Sequence, residues 1–191
     1  MINFADANIL YMERIKLHDK YFKPFISNKE IIEAIEKIAL KLNNRYKNRE
    51  TPIFLAVLNG SFMFAAHLLE RLQFNCEISF IRLSSYSGTA STGKVCEVFG
   101  LDLSVKGRDV IIIEDIVDTG NTVAELFRIL TEKGAEDIGI CTLLFKPKAY
   151  KKDLKVEYAA ISIPNDFIVG FGLDYNELGR QYKDIYVLDE S

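Results

Sequence analysis

The chain reads as an α/β domain, a mostly parallel sheet flanked by helices on both faces, and three observations carry that reading. Residues 110–113 are Val-Ile-Ile-Ile, too uniformly apolar to alternate, so they form a strand buried on both faces, as in a parallel sheet under helices. Short apolar runs at residues 53–58, 76–83, 110–113 and 138–145 alternate with stretches of helical periodicity. Finally, the run at 110–113 leads directly into Glu114, Asp115 and Asp118, with Thr119-Gly120-Asn121-Thr122 behind them. Chemistry thus collects at the carboxyl end of a strand, where sheets of this kind bind their ligands.

Taken in order, Ser27-Asn28-Lys29-Glu30 is a capping-box pattern ahead of Ile31, Ile35, Ile38 and Leu42, and predicts a first helix to about residue 48. A strand at 53–58, a helix at 61–72 and a strand at 76–83 make one strand–helix–strand unit. The second comprises 110–113, a helix over about 122–133 on which Val123, Leu126, Phe127 and Leu130 recur at helical spacing, and a strand at 138–145. Leu58-Asn59-Gly60, residues 114–122 and Lys146 all fall at strand ends, so separate segments converge on one crevice. Repeats, low-complexity tracts and an interdomain linker are absent, which predicts a single domain over 1–191 with its core at about 28–157.

Composition narrows the class of function. With 191 residues and 49% hydrophobic content the chain can bury a large core, and a formal net charge of −3 offers no general attraction to nucleic acid. No apolar run reaches the ~18 residues that span a bilayer. Cys76, Cys96 and Cys141 lack metal spacing and no signal peptide precedes them, so they read as reduced thiols of a cytoplasmic protein. His18 and His67 have no metal-spaced partner and receive no role. A P-loop pattern is missing, and the spacing of Asp115 and Asp118 differs from the Asp-x-Asp of haloacid-type phosphatases.

The loop after the strand is suited to an anion. A helix starting near Thr122 presents free backbone N–H groups and the positive end of its dipole, Thr119 and Thr122 add hydroxyls, and Gly120 permits close approach. Glu114 and Asp115 would repel the same anion, so they call for ribose hydroxyls or Mg²⁺, which favours oxygen ligands. Phosphate, diol and metal together describe a phosphorylated sugar.

Glu114-Asp-Ile-Val-Asp-Thr-Gly-Asn-Thr122 resembles the phosphoribosyl-pyrophosphate (PRPP) loop of the type I phosphoribosyltransferases. Leu58-Asn59-Gly60, Ser85-Tyr86, Lys146-Pro147 and the stretch from Phe167 to Glu177 extend the likeness, in family order, to the hypoxanthine (hypoxanthine-guanine) branch. The resemblance implies a type I phosphoribosyltransferase fold whose small hood is formed by about 1–27 and 158–191. It implies that PRPP's 5′-phosphate lies on Asp118, Thr119, Gly120, Asn121 and Thr122, its ribose near Glu114 and Asp115, and its pyrophosphate near Leu58, Asn59, Gly60 and Arg180. In the family, the 58–60 loop often contains a cis non-proline peptide; many relatives carry a basic residue where this chain has Asn59.

By the same resemblance Asp118 takes the purine proton, Lys146 donates to the exocyclic oxygen of a 6-oxopurine, Phe167 stacks on the base and the Ile168 backbone reads its edge. An ammonium has donors only, which penalises the amino group of adenine. Glu114, Asp115 and Asp174 are the expected ligands of two Mg²⁺ ions, and Ser85-Tyr86 open a lid in the polar, Gly-rich stretch 84–94 that would exclude water. Asp166, often basic in relatives, is left without a role. The implied activity is purine salvage from PRPP and hypoxanthine or guanine, in a homodimer or homotetramer. A xanthine-preferring enzyme and a non-catalytic PRPP- or nucleotide-binding regulator of the same fold are the alternatives.

Overall fold

The computed structural model describes residues 13–86, 95–100 and 103–190. Ten strands and three helices appear among them: β1 (Ile15–Leu17), β2 (Lys20–Ile26), α1 (Asn28–Tyr46), β3 (Ile53–Val57), α2 (Phe62–Leu69), β4 (Glu77–Tyr86), β5 (Val95–Phe99), β6 (Asp109–Val117), α3 (Asn121–Glu132), β7 (Asp137–Phe145), β8 (Tyr158–Ser162), β9 (Ile168–Val169) and β10 (Ile185–Leu188).

Six strands form the main sheet in the order β5-β4-β3-β6-β7-β8, parallel throughout except for β5, which returns antiparallel along the edge of β4. The two strand–helix–strand units read from the sequence are β3-α2-β4 and β6-α3-β7. Strand periodicity divides the core between two faces. Phe54, Ala56, Ile111 and Ile113 pack under α1 and α2, while Leu55, Ile112 and Ile140 pack under α3 through Val123, Leu126 and Leu130. Because both faces are covered, the central strands need no polar alternation, and this explains the unbroken apolar run.

The second layer is a four-stranded antiparallel sheet in the order β1-β2-β10-β9. It brings residues 15–26 together with 168–188. The boundary drawn near residue 158 shifts, because β8 pairs with β7 as the last parallel strand of the main sheet. Between buried Tyr158 and exposed Ser162 its burial is intermediate, and its Ala-Ala centre gives little apolar signal, as an edge position allows. The two sheets meet at the start of α1. Ser27 and Glu30 form the expected capping box, the Asn28 N–H donates to Asp184 Oδ1 at 2.7 Å, and Asn28 Nδ2 donates to Lys183 O at 3.0 Å.

Candidate active site

Strand β6 runs further than its apolar stretch, to Val117, and keeps pairing with β7 past the acids, so Glu114 and Asp115 lie within the strand instead of after it. Successive strand residues point to opposite faces. Glu114 therefore faces the α3 side, where it lines a small pocket with Asp118, Gly120, Asn121 and Thr122. Asp115 faces the other side, against Gly60, where any Cβ would overlap the Asp115 carboxylate. Glu114 is 7% exposed and its Oε2 is buried without a hydrogen-bond partner. Burial, and then the charges of Asp115 and Asp118, hold its carboxyl well above the usual carboxylate range. Burial also raises Asp115 to about 6; the N–H of Ile116, donating at 2.8 Å, and the charge of Arg180 work against that rise.

The turn beyond β6 is organised by Asp118, whose Oδ1 accepts from the Thr119 N–H and, at 3.3 Å, from the Thr119 hydroxyl. Gly120 adopts φ 80°, the left-handed conformation that ordinary side chains resist, and serves as N-cap of α3 with no side chain capping the helix. The first-turn N–H groups consequently point at the pocket. Tyr150 and Lys152 lie directly over Gly120, leaving no room for a Cβ. The loop is tied from behind, since the Lys146 N–H donates to Val117 O at 2.9 Å and the Lys151 N–H to Thr119 O at 3.4 Å. Nothing in the sequence signalled that strap.

After β3, the peptide between Leu58 and Asn59 is cis, as the resemblance implies. The loop is fastened at both ends: the Leu58 N–H donates to Ile81 O at 2.7 Å, and the fully buried Ser61 hydroxyl donates to Val57 O at 2.6 Å. Gly172, at φ 99°, lies so close to Gly60 O that a Cβ would collide with it. Arg180 donates to Gly172 O at 2.9 Å and ion-pairs with Asp174 at 2.8 Å, while Asp174 Oδ2 accepts from the Glu177 N–H at 2.7 Å. Gly60, Asp115, Asp174 and Arg180 thus form one neighbourhood. Among the described residues no three His, Cys, Asp or Glu side chains form a metal cage, so Glu114, Asp115 and Asp174 do not converge on one point.

On the remaining side, Lys146 Nζ donates to the backbone carbonyl of Asp166 at 2.7 Å, and Asp166 enters the site through its main chain. Phe167, next in sequence, is 45% exposed, unlike a core phenylalanine, whereas Ile168 beside it is buried. Ser85 and Tyr86 form the end of β4, paired to Cys96 and Val95; the rest of the expected lid, residues 87–94, lies outside the described residues.

Comparison with known proteins identifies the family. The phosphoribosyl transferase domain matches residues 25–176. A hypoxanthine-guanine phosphoribosyltransferase of Lactococcus lactis is 40% identical over 167 residues, covering 87% of this chain and 90% of that protein. One from Streptococcus pneumoniae is 38% identical over 169 residues, 88% and 93% of the respective chains. The crystal structure of a hypoxanthine-guanine phosphoribosyltransferase from Bacillus anthracis superposes with a TM-score of 0.78 at 33% identity, covering 87% of this chain and 96% of that one. A hypoxanthine phosphoribosyltransferase variant from Trypanosoma cruzi, solved as a ternary substrates complex, gives 0.80 at 30% identity over 87% and 95%. With a family model spanning most of its length and relatives of this identity along nearly all of theirs, the chain belongs to the phosphoribosyltransferase family, on its hypoxanthine-guanine phosphoribosyltransferase branch.

Proposed function

We propose that this protein transfers the phosphoribosyl group of PRPP to N9 of hypoxanthine or guanine, releasing pyrophosphate and the purine nucleoside monophosphate, a step of purine salvage. The observation that carries the reading is that three sequence-distant pieces follow the carboxyl ends of adjacent parallel strands of one sheet: the 58–60 loop after β3, with Gly60 against Asp115, the 118–122 turn after β6, and Lys146 after β7, bonded to the residue before Phe167.

In this reading the 5′-phosphate is held by the Thr119 and Thr122 hydroxyls and the first-turn N–H groups of α3. Glu114 and Asp115 accept from the ribose hydroxyls, and the backbone of residues 58–60 with Arg180 holds the pyrophosphate. Asn59 brings no charge to that loop, which leaves Arg180 as its cationic side chain. The base stacks on the exposed ring of Phe167, and Lys146, which already spends one donor on Asp166 O, gives another to the 6-oxo group. The backbone of Ile168 reads the adjacent edge. As the bond from C1′ to pyrophosphate breaks, N9 attacks C1′ and the N7 proton passes to Asp118, which is exposed on the pocket rim.

The donor set suits Mg²⁺: Glu114 presents an unpartnered buried oxygen, and Asp115 and Asp174 offer carboxylates on the pyrophosphate side. With no three-carboxylate cage among the described residues, two ions would share these carboxylates with substrate oxygens, and their charge would neutralise the leaving group. Unpaired Cys76 and Cys141 support a cytoplasmic setting. Exposed Phe62, Ile78 and Phe80, on the α1/α2 side of the sheet, support a homodimer or homotetramer.

The test is nucleotide formation from PRPP and Mg²⁺ with hypoxanthine, guanine, xanthine and adenine offered separately. Turnover with hypoxanthine or guanine and none with adenine is expected. Tight PRPP binding without turnover on any base would move the protein to a regulatory class, and turnover confined to xanthine would reassign its substrate.

A further inference from the structure

Phe167 is held from one side only. It precedes the two-residue strand β9, its carbonyl accepts from the Leu188 N–H at 2.8 Å, and its ring is nearly half exposed. A ring that presents a free face to a base needs something else to fix its tilt, because χ rotation of an exposed phenylalanine is otherwise cheap. Two rings do so. Phe22, fully buried in β2, lies 6.1 Å away, and Tyr175 meets Phe167 edge-on at 5.7 Å and 85°.

Tyr175 is in turn gripped by three successive residues, His18 and Asp19 in the β1–β2 turn and Lys20 at the start of β2. Its hydroxyl donates to Asp19 Oδ1 at 2.9 Å, its ring meets His18 edge-on at 5.6 Å, and the Lys20 ammonium lies 5.3 Å from its centroid. His18, at φ 50°, brings Nε2 within 3.1 Å of Asn176 O. Phe22 touches both rings, at 6.1 Å from each, and closes the triangle.

We propose that Tyr175 is a positioning residue for purine binding, setting the tilt of Phe167 and anchored by Asp19 in the N-terminal hairpin. The proposal rests on the reading of Phe167 as the stacking ring. Tyr175 touches no substrate in this account; it acts through Phe167, and the hairpin acts through Tyr175. Edge-to-face aromatic pairs and single hydrogen bonds are each modest, so the expected effects are several-fold and confined to the base.

The experiment measures KM for hypoxanthine and for PRPP in Phe167→Ala, Tyr175→Leu, Tyr175→Phe, Asp19→Ala and the double variant Phe167→Ala/Tyr175→Leu. Tyr175→Leu is expected to raise the hypoxanthine KM about three- to tenfold, with the PRPP KM unchanged. Tyr175→Phe and Asp19→Ala, which remove the same hydrogen bond, should match each other at about two- to fivefold. The double variant should be no worse than Phe167→Ala alone, because a residue acting through another has nothing left to act on. Multiplying effects in the double variant, or a PRPP KM that rises in step, would overturn the proposal. An unchanged hypoxanthine KM in Phe167→Ala removes the stacking reading and this proposal with it. A raised KM in Phe167→Ala beside unaltered Tyr175→Leu and Asp19→Ala removes the positioning role alone. Should Tyr175→Leu fail to fold, surface-exposed Asp19→Ala decides.

Discussion

The cradle at the end of β6 and the hood above it build their halves of the site in opposite ways. The cradle is local: Glu114, Asp115, Asp118 and the turn at 118–122 come from one strand, one turn and one helix start. Asp118 is exposed, but Glu114 keeps a buried oxygen without a partner, and burial pushes both Glu114 and Asp115 upward. The hood is assembled from afar, with Asp19 reaching Tyr175 and Lys146 reaching Asp166, and its polar groups are paired with each other. In the proposed reaction the region that would receive a polyanion and a cation holds its acids under electrostatic tension, whereas the region that would orient a neutral base has its polar groups paired. Function therefore works against folding in the first region and alongside it in the second.

The largest effect expected in the cradle is chemical. Asp118→Asn keeps an oxygen able to accept from the Thr119 N–H, so the turn and PRPP binding survive, but the amide cannot take a proton. Turnover should fall about 10²–10⁴-fold, the usual cost of losing a general base, with little change in the PRPP KM. Unchanged turnover would remove Asp118 from the reaction.

The next tests the tension itself. Asp115 has a folded pKa of about 6 against an ordinary 3.8. Near pH 4 the folded carboxyl is protonated and the unfolded one only about half ionised, so the two states differ little; as pH rises toward 6 the unfolded chain loses the proton first and the folded state is progressively disfavoured. Above that window the full penalty applies, and the gap corresponds to about 3 kcal/mol. In metal-free buffer, Asp115→Asn should therefore raise the Tm at pH 7.5 by on the order of 5–10 °C, with the gain vanishing near pH 4, while activity is lost. Equal Tm values at pH 7.5 would show that the site carries no such strain.

The contrast also sorts what could be read in advance. The strand, turn and helix around 110–133 were legible because periodicity and turn chemistry are local, and Ser27-Asn28-Lys29-Glu30 gave the true start of α1. That Glu114 and Asp115 lie inside β6 was hidden, since strand pairing by β7, not apolarity, carries β6 to Val117. Helix α2 ends at Leu69, not near 72, because Arg71 and Leu72 bond back to Leu68 and Leu69 in tight turns that keep Leu72 against the core. The Tyr150–Lys152 strap over Gly120, the fit of Gly172 to Gly60 and the hold of the hairpin on Tyr175 join residues distant in sequence, and no periodicity reports such contacts. His18, given no role from spacing, proves part of that hold.

Where the main sheet meets the hood, the largest single change expected is at Lys146, which follows β7 and bonds Asp166 O. Lys146→Met retains the stem but loses the ammonium, leaving Asp166 O without its donor and removing the donor proposed for the 6-oxo group. A charge-assisted hydrogen bond of this kind corresponds to about a tenfold or larger rise in the hypoxanthine KM. Selectivity over adenine should shrink as well, because the donor proposed to penalise the 6-amino group would be gone. Retained selectivity would mean that the Ile168 backbone, not Lys146, discriminates between the bases.

The smallest effect is expected where the two regions join. Ser27 caps α1 directly after β2, and its neighbour Asn28 is bound by Asp184 and Lys183, so hood and core share one helix start. Ser27→Ala removes the hydroxyl's part of the capping box but leaves the Ser27 main-chain N–H donating to Glu30 and the Asn28 contacts in place. Loss of such a cap costs about 1 kcal/mol, which for a chain of this length lowers the Tm by about 2–4 °C. Both KM values should stay as they were, since in the proposed site the base would be oriented by Phe167 and Lys146 and the phosphate by the 118–122 turn, neither of which Ser27 touches. A hypoxanthine KM that moves with this cap would instead make the seating of the hood on α1 part of base recognition.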